Sequence, residues 1–181
     1  MDLIQGIKER RSVRKFKDTP IPREIIREIV EIASYAPSWK NTQTARYIVV
    51  DDRKLLEKIA SEECLMGFAH NVTIIAKAPA LVIQTIVKRR SGYEKDGSFS
   101  TSKEDKWEVF DAGIAAQTFC LGAHAKGLGT VIMGIFDEKK IGEIIELPQG
   151  QQIAALIAIG YPDEKPKAPA RKTPEELLTF L

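Results

Sequence analysis

The stretch of sequence that decides the fold is AGIAAQTFCLGAHA, residues 112–125, which contains no Asp, Glu, Lys or Arg. Trp107 and Phe110 before this stretch and Ile114 within it have the spacing of one long helix. A helix that covers one face of a sheet keeps a polar side toward water, and this stretch lacks such a side. The sequence therefore predicts a long helix that is buried on several sides, by the core or by a partner chain.

Shorter elements surround this helix as an alternation of helices and strands. Pro22 can open a helix that Pro37 ends, and Asp51 is a candidate N-cap for another helix. The alternation alone would favour a doubly wound parallel sheet. However, the strands are few and the long helix is too apolar to be a simple crossover, so the sequence favours an α+β fold. The predicted helices cover about residues 2–9, 22–36, 52–61 and 138–146, and the predicted strands cover residues 47–50, 80–86, 130–133 and 153–159.

Composition restricts the class of protein. A chain of 181 residues with 44% hydrophobic and 29% charged residues is typical of one globular domain, here residues 1–181. No apolar run reaches the roughly 18 residues of a membrane span, and the first residues lack the pattern of a signal peptide, so we expect a cytoplasmic protein that does not enter a membrane. Cys64 and Cys120 lie far apart and histidines are few, so the sequence predicts reduced thiols and no metal site.

A cluster of basic residues lies at Arg10-Arg11-Ser12-Val13-Arg14. The chain as a whole has 27 basic and 25 acidic residues, so this positive charge is local. Guanidinium groups bind phosphate oxygens two at a time, and the cluster is therefore a candidate phosphate site. Two alternatives remain: a solvated charged segment, or a nucleic-acid-binding module that uses Arg10–Lys17. A nucleic-acid-binding protein would carry a wider basic face, often with interleaved aromatic residues.

Four further segments accompany the arginine cluster. They are Ala36–Gln43 (APSWKNTQ), Ala125–Thr130 (AKGLGT), Ala158–Pro162 (AIGYP) and Arg171–Pro174 (RKTP). Taken with Arg10–Phe16, this ordered set resembles the motifs of the nitroreductase-like FMN-dependent flavoprotein family along the full chain. Read by itself, Gly127 predicts the C-cap of the long helix.

The resemblance implies a nitroreductase-like fold. In that fold a central mixed β-sheet is flanked by helices, the long helix lies at a dimer interface, and an extended C-terminal tail, residues 161–181, wraps the partner subunit. The resemblance also implies a homodimer with two FMN sites at the subunit interface. Within the tail, Thr173 and Glu176 have the spacing of a capping box, which predicts the start of a short helix.

The arginine cluster acquires specific roles from the resemblance. Arg10, Arg11 and Ser12 would hold the phosphate and ribityl end of FMN, with help from Arg171. Arg14 matches the basic position beside the pyrimidine part of the flavin. Reduction of FMN places negative charge there, and an arginine stabilises that charge at any pH because it keeps its proton.

Pro37, Ser38 and Asn41 match residues that reach the flavin from the other subunit. Read from the residues alone, this segment is equally a polar turn at the end of a helix. The family often continues with Pro-Trp, whereas this chain has Thr44-Ala45. Either Trp39 supplies the bulky group beside the flavin instead, or the pocket is more open at this place.

Two more places match flavin-contacting positions. Asn71 has the spacing of a family asparagine that precedes a strand, although a helix-interior amide is the alternative. Ile132, Met133 and Gly134 correspond to a strand end whose backbone lies beside the flavin ring, and a glycine there permits close approach. Ile132 and Met133 are equally compatible with the core.

The implied activity is the reduction of electron-poor small molecules, such as nitroaromatics or quinones, with NADH or NADPH as donor and ping-pong kinetics. FMN carries the chemistry, so no side chain is predicted to act as nucleophile or general acid. The polar segment Lys88–Lys103 is a loop and a candidate lid. The alternative within the same fold is a specialised flavin enzyme that consumes its flavin or removes halide.

Overall fold

The computed structural model describes residues 2–181 and has the predicted α+β fold. A single turn of 3-10 helix over Trp39–Asn41 lies between the second helix and the first strand. The helices are α1 (Leu3–Glu9), α2 (Arg23–Ser34), α3 (Arg53–Ile59), α4 (Ala69–Lys77), α5 (Lys106–Ala125), α6 (Glu138–Ile144) and α7 (Pro174–Leu177). The strands are β1 (Ala45–Val50), β2 (Ala80–Val87), β3 (Gly129–Met133) and β4 (Gln151–Gly160).

The four strands form one antiparallel sheet in the order β1-β2-β4-β3. Val50 lies opposite Leu81, so α3 and α4 carry the chain away from the end of β1 and back to the same end of the sheet. This return is why the alternation of helices and strands does not build a parallel sheet. The mixed sheet implied by the resemblance is therefore antiparallel in its four strands, and parallel pairing enters at a bridge between Ser12 and Thr130.

Helices cover both faces of the sheet. On one face α2 and α5 pack against the sheet, and Phe119 and Ile29 are completely buried there. On the other face α3, α4 and α6 enclose a second apolar cluster that includes Leu56 and Ile141. The outer side of α5 leaves Val109 and Phe110 58% exposed. The long helix is thus buried by the core along much of its length, while two apolar side chains near its start remain more than half exposed.

The ends of α5 and of the chain follow the expected chemistry. Gly127 has a φ of 76°, and the N–H of Leu128 donates to the carbonyl of Ala123 at 2.9 Å, so the predicted C-cap is confirmed. The capping box of Thr173 and Glu176 is present at α7. Among the described residues, no helix combines the length and the apolar character that crossing a bilayer would require.

One local prediction needs correction, and one helix was not predicted. Asp52, not Asp51, caps α3, because its carboxylate accepts the N–H of Leu55 at 2.8 Å, while Asp51 forms an ion pair with Arg23 at 2.9 Å. Asn71 does precede β2, but it lies inside α4, a helix that the sequence pattern did not separate from its surroundings.

Candidate flavin site at the edge of the sheet

The arginine segment, residues 10–14, runs along the edge of β3. The N–H of Val13 donates to the carbonyl of Thr130 at 3.0 Å, beside the parallel bridge from Ser12. Gly129 makes this approach possible, because a Cβ placed on it would lie 2.6 Å from the Cβ of Val13. Gly129 of the AKGLGT motif therefore allows the arginine segment to pack against β3.

The AIGYP motif meets the same segment from the other side. Phe16 forms an antiparallel bridge with Pro162, and the N–H of Lys17 donates to the carbonyl of Tyr161 at 2.9 Å. Next to this ribbon, the carboxylate of Glu164 accepts the N–H of Arg14 at 2.6 Å. Three of the sequence motifs are thus brought together at one place.

A cavity of about 420 Å³ opens between the arginine segment, the end of α5 and the start of the tail. Arg11 also lies in the cavity wall, but it donates to the carbonyls of Lys8 and Arg10 at 2.6 and 2.7 Å, so it caps the end of α1. Arg10 behaves differently: its Nε atom is buried and has no hydrogen-bond partner among residues 2–181. The cavity also has His124 and Lys165 in its wall. An anion placed here would satisfy the Nε atom of Arg10, so the donor set fits a phosphate group.

The far end of β3 holds the second set of predicted contacts. Ile132 is 47% exposed, whereas Met133 is buried in the core, so only the backbone of Met133 is available to a ligand. A Cβ on Gly134 would meet nothing within 4 Å, which leaves open space beside this residue. Asn71 is buried and donates from Nδ2 to the carbonyl of Ile135 at 3.3 Å, which fixes the strand end. From Thr130 to Gly134 the edge of β3 extends for about 13 Å.

The loop of the APSWKNTQ motif lies elsewhere, at the start of β1. Lys40, Asn41 and Gln43 have φ angles of 44°, 55° and 48°, a region that side chains other than glycine rarely occupy. The hydroxyl of Ser38 accepts the N–H of Gln43 at 2.9 Å and closes the loop. Strained backbone of this kind persists where the surrounding structure enforces it, often at functional sites.

Asp111 of α5 supplies much of that enforcement. It is 5% exposed, and its Oδ2 atom accepts the backbone N–H of Trp39 at 2.9 Å and the hydroxyl of Ser91 at 2.5 Å. Ser91 in turn shares a hydrogen bond with the hydroxyl of Thr42 at 3.0 Å. The ring of Trp39 packs on Trp107 with centroids 4.7 Å apart. The long helix therefore holds the loop through its backbone and through an aromatic contact.

We expect Asp111→Ala to loosen this loop. Loss of the carboxylate leaves buried donors of Trp39 and Ser91 without an acceptor, which costs on the order of 3 kcal/mol of the free energy of unfolding. Acrylamide should then quench tryptophan fluorescence more strongly, because the contact between Trp39 and Trp107 opens.

Glu108→Ala is the matched control for this experiment. Glu108 is also a buried carboxylate of α5, and it accepts the N–H groups of Arg89 and Arg90 without touching the loop. Burial raises the pKa of its carboxyl above the usual value. We expect a comparable loss of stability in Glu108→Ala with unchanged quenching at temperatures where both variants are folded. Equal quenching in the two variants would show that Asp111 does not hold the loop specifically.

A second cavity, of about 340 Å³, lies where the family often has Pro-Trp. Its wall contains Thr44, Ala45 and Tyr47, and the hydroxyls of Thr44 and Tyr47 are buried without a hydrogen-bond partner among the described residues. Burial raises the pKa of Tyr47 to about 12. Trp39 packs on Trp107 instead of lining this cavity, so the pocket is open at the place where the sequence departs from the family pattern.

Two of the groups of predicted cofactor residues thus lie at opposite ends of α5. His124 faces the arginine segment, and Asp111 holds the APSWKNTQ loop. His124 follows Asp111 by thirteen positions, which corresponds to about 20 Å along a helix. Arg171 lies in the exposed tail and does not line the arginine cavity of its own chain. One chain therefore does not gather all of the predicted residues at one point.

Sequence reasoning missed the residues that position these groups. Asp111 is the last charged residue before the apolar stretch of α5, and a buried acid at that boundary was a usable signal. Glu164 and His124 carried no such signal, because their neighbours in space come from distant parts of the chain. Among residues 2–181, no three His, Cys, Asp or Glu side chains cluster as metal ligands.

Comparison with known proteins identifies the family of the chain. A sequence model described as the Nitroreductase family matches residues 7–161. The chain belongs to the nitroreductase family. The predicted family, the α+β fold and the oxidoreductase class are therefore confirmed.

Individual relatives cover nearly all of the chain. A protein of Methanothermobacter thermautotrophicus, named for NADH dehydrogenase and NAD(P)H nitroreductase, is 33% identical in an alignment of 170 positions that covers 92% of this chain and 80% of that protein. The crystal structure of a nitroreductase family protein from Clostridium novyi NT has 31% identity and a TM-score of 0.76, and covers 93% of this chain and 89% of its own. An FMN-dependent nitroreductase from Clostridium difficile R20291 has 30% identity and a TM-score of 0.74, with coverage of 93% and 92%.

Proposed function

We propose that this nitroreductase family member is an FMN-dependent enzyme that uses NADH or NADPH to reduce electron-poor small molecules. We further propose that it works as a homodimer with two flavin sites, each shared by both subunits, in the cytoplasm. The names of the relatives support the donor, and the similarity to the FMN-dependent nitroreductase of Clostridium difficile supports FMN. The acceptor class includes nitroaromatics and quinones.

The observation that carries the proposal is that Arg10 lines a cavity beside β3 and has a buried Nε atom without a hydrogen-bond partner among residues 2–181. A guanidinium that is held in place but unsatisfied costs free energy, and a phosphate would offset that cost with a charge-assisted hydrogen bond. The exposed strand edge toward Gly134 gives the remaining length of an elongated cofactor a surface to lie on.

Each group of residues has a defined part in this proposal. Bound FMN would supply the redox chemistry, accepting a hydride from NADH or NADPH and passing it to the acceptor in a second half-reaction. Arg10 and Ser12 bind the phosphate, and Arg14 places a permanent positive charge near the flavin. The carboxylate of Glu164 holds the backbone of Arg14 and so keeps the arginine segment against the tail.

The distances support a second copy. The APSWKNTQ loop and the arginine segment lie at opposite ends of α5, which favours a site whose loop comes from another chain. Val109 and Phe110 on α5 and Leu177 and Phe180 in the tail are exposed apolar side chains that a partner would cover. We propose that the tail, including Arg171, reaches across to that partner.

Arg10→Ala is expected to weaken FMN binding about tenfold to a hundredfold, since loss of one charge-assisted contact costs on the order of 1.5–3 kcal/mol. Fluorescence titration of the flavin-free protein with FMN measures this change. Arg27→Ala is the control, because Arg27 is an exposed arginine of α2 outside the arginine cavity. Equal affinities in the wild type and in Arg10→Ala would remove Arg10 from the site.

Reductive dehalogenation is the second candidate function. An iodotyrosine deiodinase of Thermotoga neapolitana is 26% identical in an alignment of 193 positions that covers 96% of this chain and 96% of that protein. Steady-state assays with NADH and NADPH against nitroaromatics, quinones and halogenated tyrosines would separate the two candidates. The nucleic-acid alternative has less support, because Arg11 and Arg14 are engaged with carbonyls and the segment is fastened to the sheet edge.

A further inference from the structure

His124 occupies the last turn of α5, where its ring faces the arginine cavity. Its Nε2 atom is buried and, among residues 2–181, has no hydrogen-bond partner. The Nε atom of Arg10 in the same cavity is also buried without a partner. Arg10 and His124 therefore line one cavity, and each has a buried nitrogen without a partner among the described residues, which is unusual because buried polar atoms are nearly always paired.

The charges around His124 oppose its protonation when the cavity holds no anion. Burial lowers the pKa of its imidazole below the usual value, and the positive charge of Arg10 lowers it further. Glu9 acts in the opposite direction. The charged groups in the cavity wall are Glu9, Arg10 and Arg11 from the N-terminal side and Glu164 and Lys165 from the tail, while Lys126, next to α5, is paired with Glu28 of α2.

An anion in the cavity would reverse this balance. A phosphate between the two residues neutralises the field of Arg10, and it offers an acceptor to an imidazolium, in which both ring nitrogens are donors. A neutral imidazole can instead present an unprotonated nitrogen, which repels a phosphate oxygen. The anion and the proton therefore favour one another.

We propose that His124 is a further phosphate-binding residue of this site and takes up a proton when the phosphate group binds. This inference rests on the proposed FMN site, and it adds that cofactor binding is coupled to pH. Because the protonated form binds better, affinity should rise as the pH falls from 8 toward 6.5, by roughly threefold to tenfold. Below about pH 6 the phosphate itself gains a proton, so the trend stops there.

Calorimetric titration of the flavin-free protein at pH 7 tests the coupling. FMN binding is measured in buffers of different ionisation enthalpy, which reports the protons taken up. The wild type should take up a fraction of a proton with FMN and none with riboflavin, which lacks the phosphate. His124→Gln should bind FMN more weakly without proton uptake, and its affinity should be flat between pH 6.5 and pH 8.

His70→Gln is the matched control, because His70 is exposed on α4 and away from the cavity. It should keep the proton uptake of the wild type. Equal proton uptake in His124→Gln and the wild type, or none in the wild type, would overturn the role of His124 while leaving FMN binding intact. A wild-type protein that binds no FMN at any pH would instead overturn the proposed function.

Discussion

Coexpression of Arg10→Ala chains with Asp111→Ala chains is expected to restore FMN to one site of each mixed dimer, although neither variant retains FMN well by itself. In the proposed dimer, each site takes its arginine segment from one chain and its APSWKNTQ loop from the other. A mixed dimer then contains one site with both defects and one site with neither. The intact site should bind with wild-type affinity.

The measurement uses different affinity tags on the two chains and purification over both matrices. Visible absorbance should give about one FMN per mixed dimer, against two in the tagged wild-type dimer. If each site were built within a single chain, every site of the mixed dimer would carry a defect, and the mixture would remain colourless. A monomeric protein during size-exclusion chromatography would contradict the shared site directly.

Gly129→Ala is expected to dislodge the arginine segment from the sheet. The new Cβ would lie 2.6 Å from the Cβ of Val13, a distance that requires the backbone of one of the two segments to move. Overpacking of this kind costs about 1–3 kcal/mol of the free energy of unfolding. For a chain of this size the melting temperature falls by about 2–4 °C per kcal/mol.

The loss of FMN affinity should be larger than reduced stability alone would cause, because the displaced segment carries Arg10 and Ser12. Gly142→Ala in α6 serves as the control: its Cβ would meet Leu147 at an ordinary 3.5 Å, and alanine favours a helix. That variant should be as stable as the wild type or more stable, with unchanged flavin content. Full flavin retention by Gly129→Ala would show that the close contact between Gly129 and Val13 is not needed for FMN binding.

The fold was predictable where local pattern and burial agree. The apolar stretch of α5 predicted a helix buried on several sides, and Gly127 predicted its end. The wrong N-cap at Asp51 and the unpredicted helix around Asn71 both depend on choices between neighbours in space. Asp51 has a better partner in Arg23 than in the helix N-terminus, and no short-range pattern reveals that preference.

The candidate site was predictable as a set of motifs but not as an arrangement. The sequence could not show that Gly129 and Gly160 are spacers for Val13 and Phe16, because the distances involved join segments far apart along the chain. It also could not show that Asp111 fixes the loop, since a single acid before an apolar run has many possible partners. The separation of the two groups along α5 appears only once the helix is placed.

The contacts of Ser91 with Thr42 and of Lys40 with Glu94 tie the polar segment that follows β2 to the loop assigned to the cofactor. Randomising positions 92–104 to broaden substrate preference would then also disturb flavin occupancy. Libraries of that kind should be screened for colour before turnover, and compensating changes should be sought around Trp107, where the two segments meet.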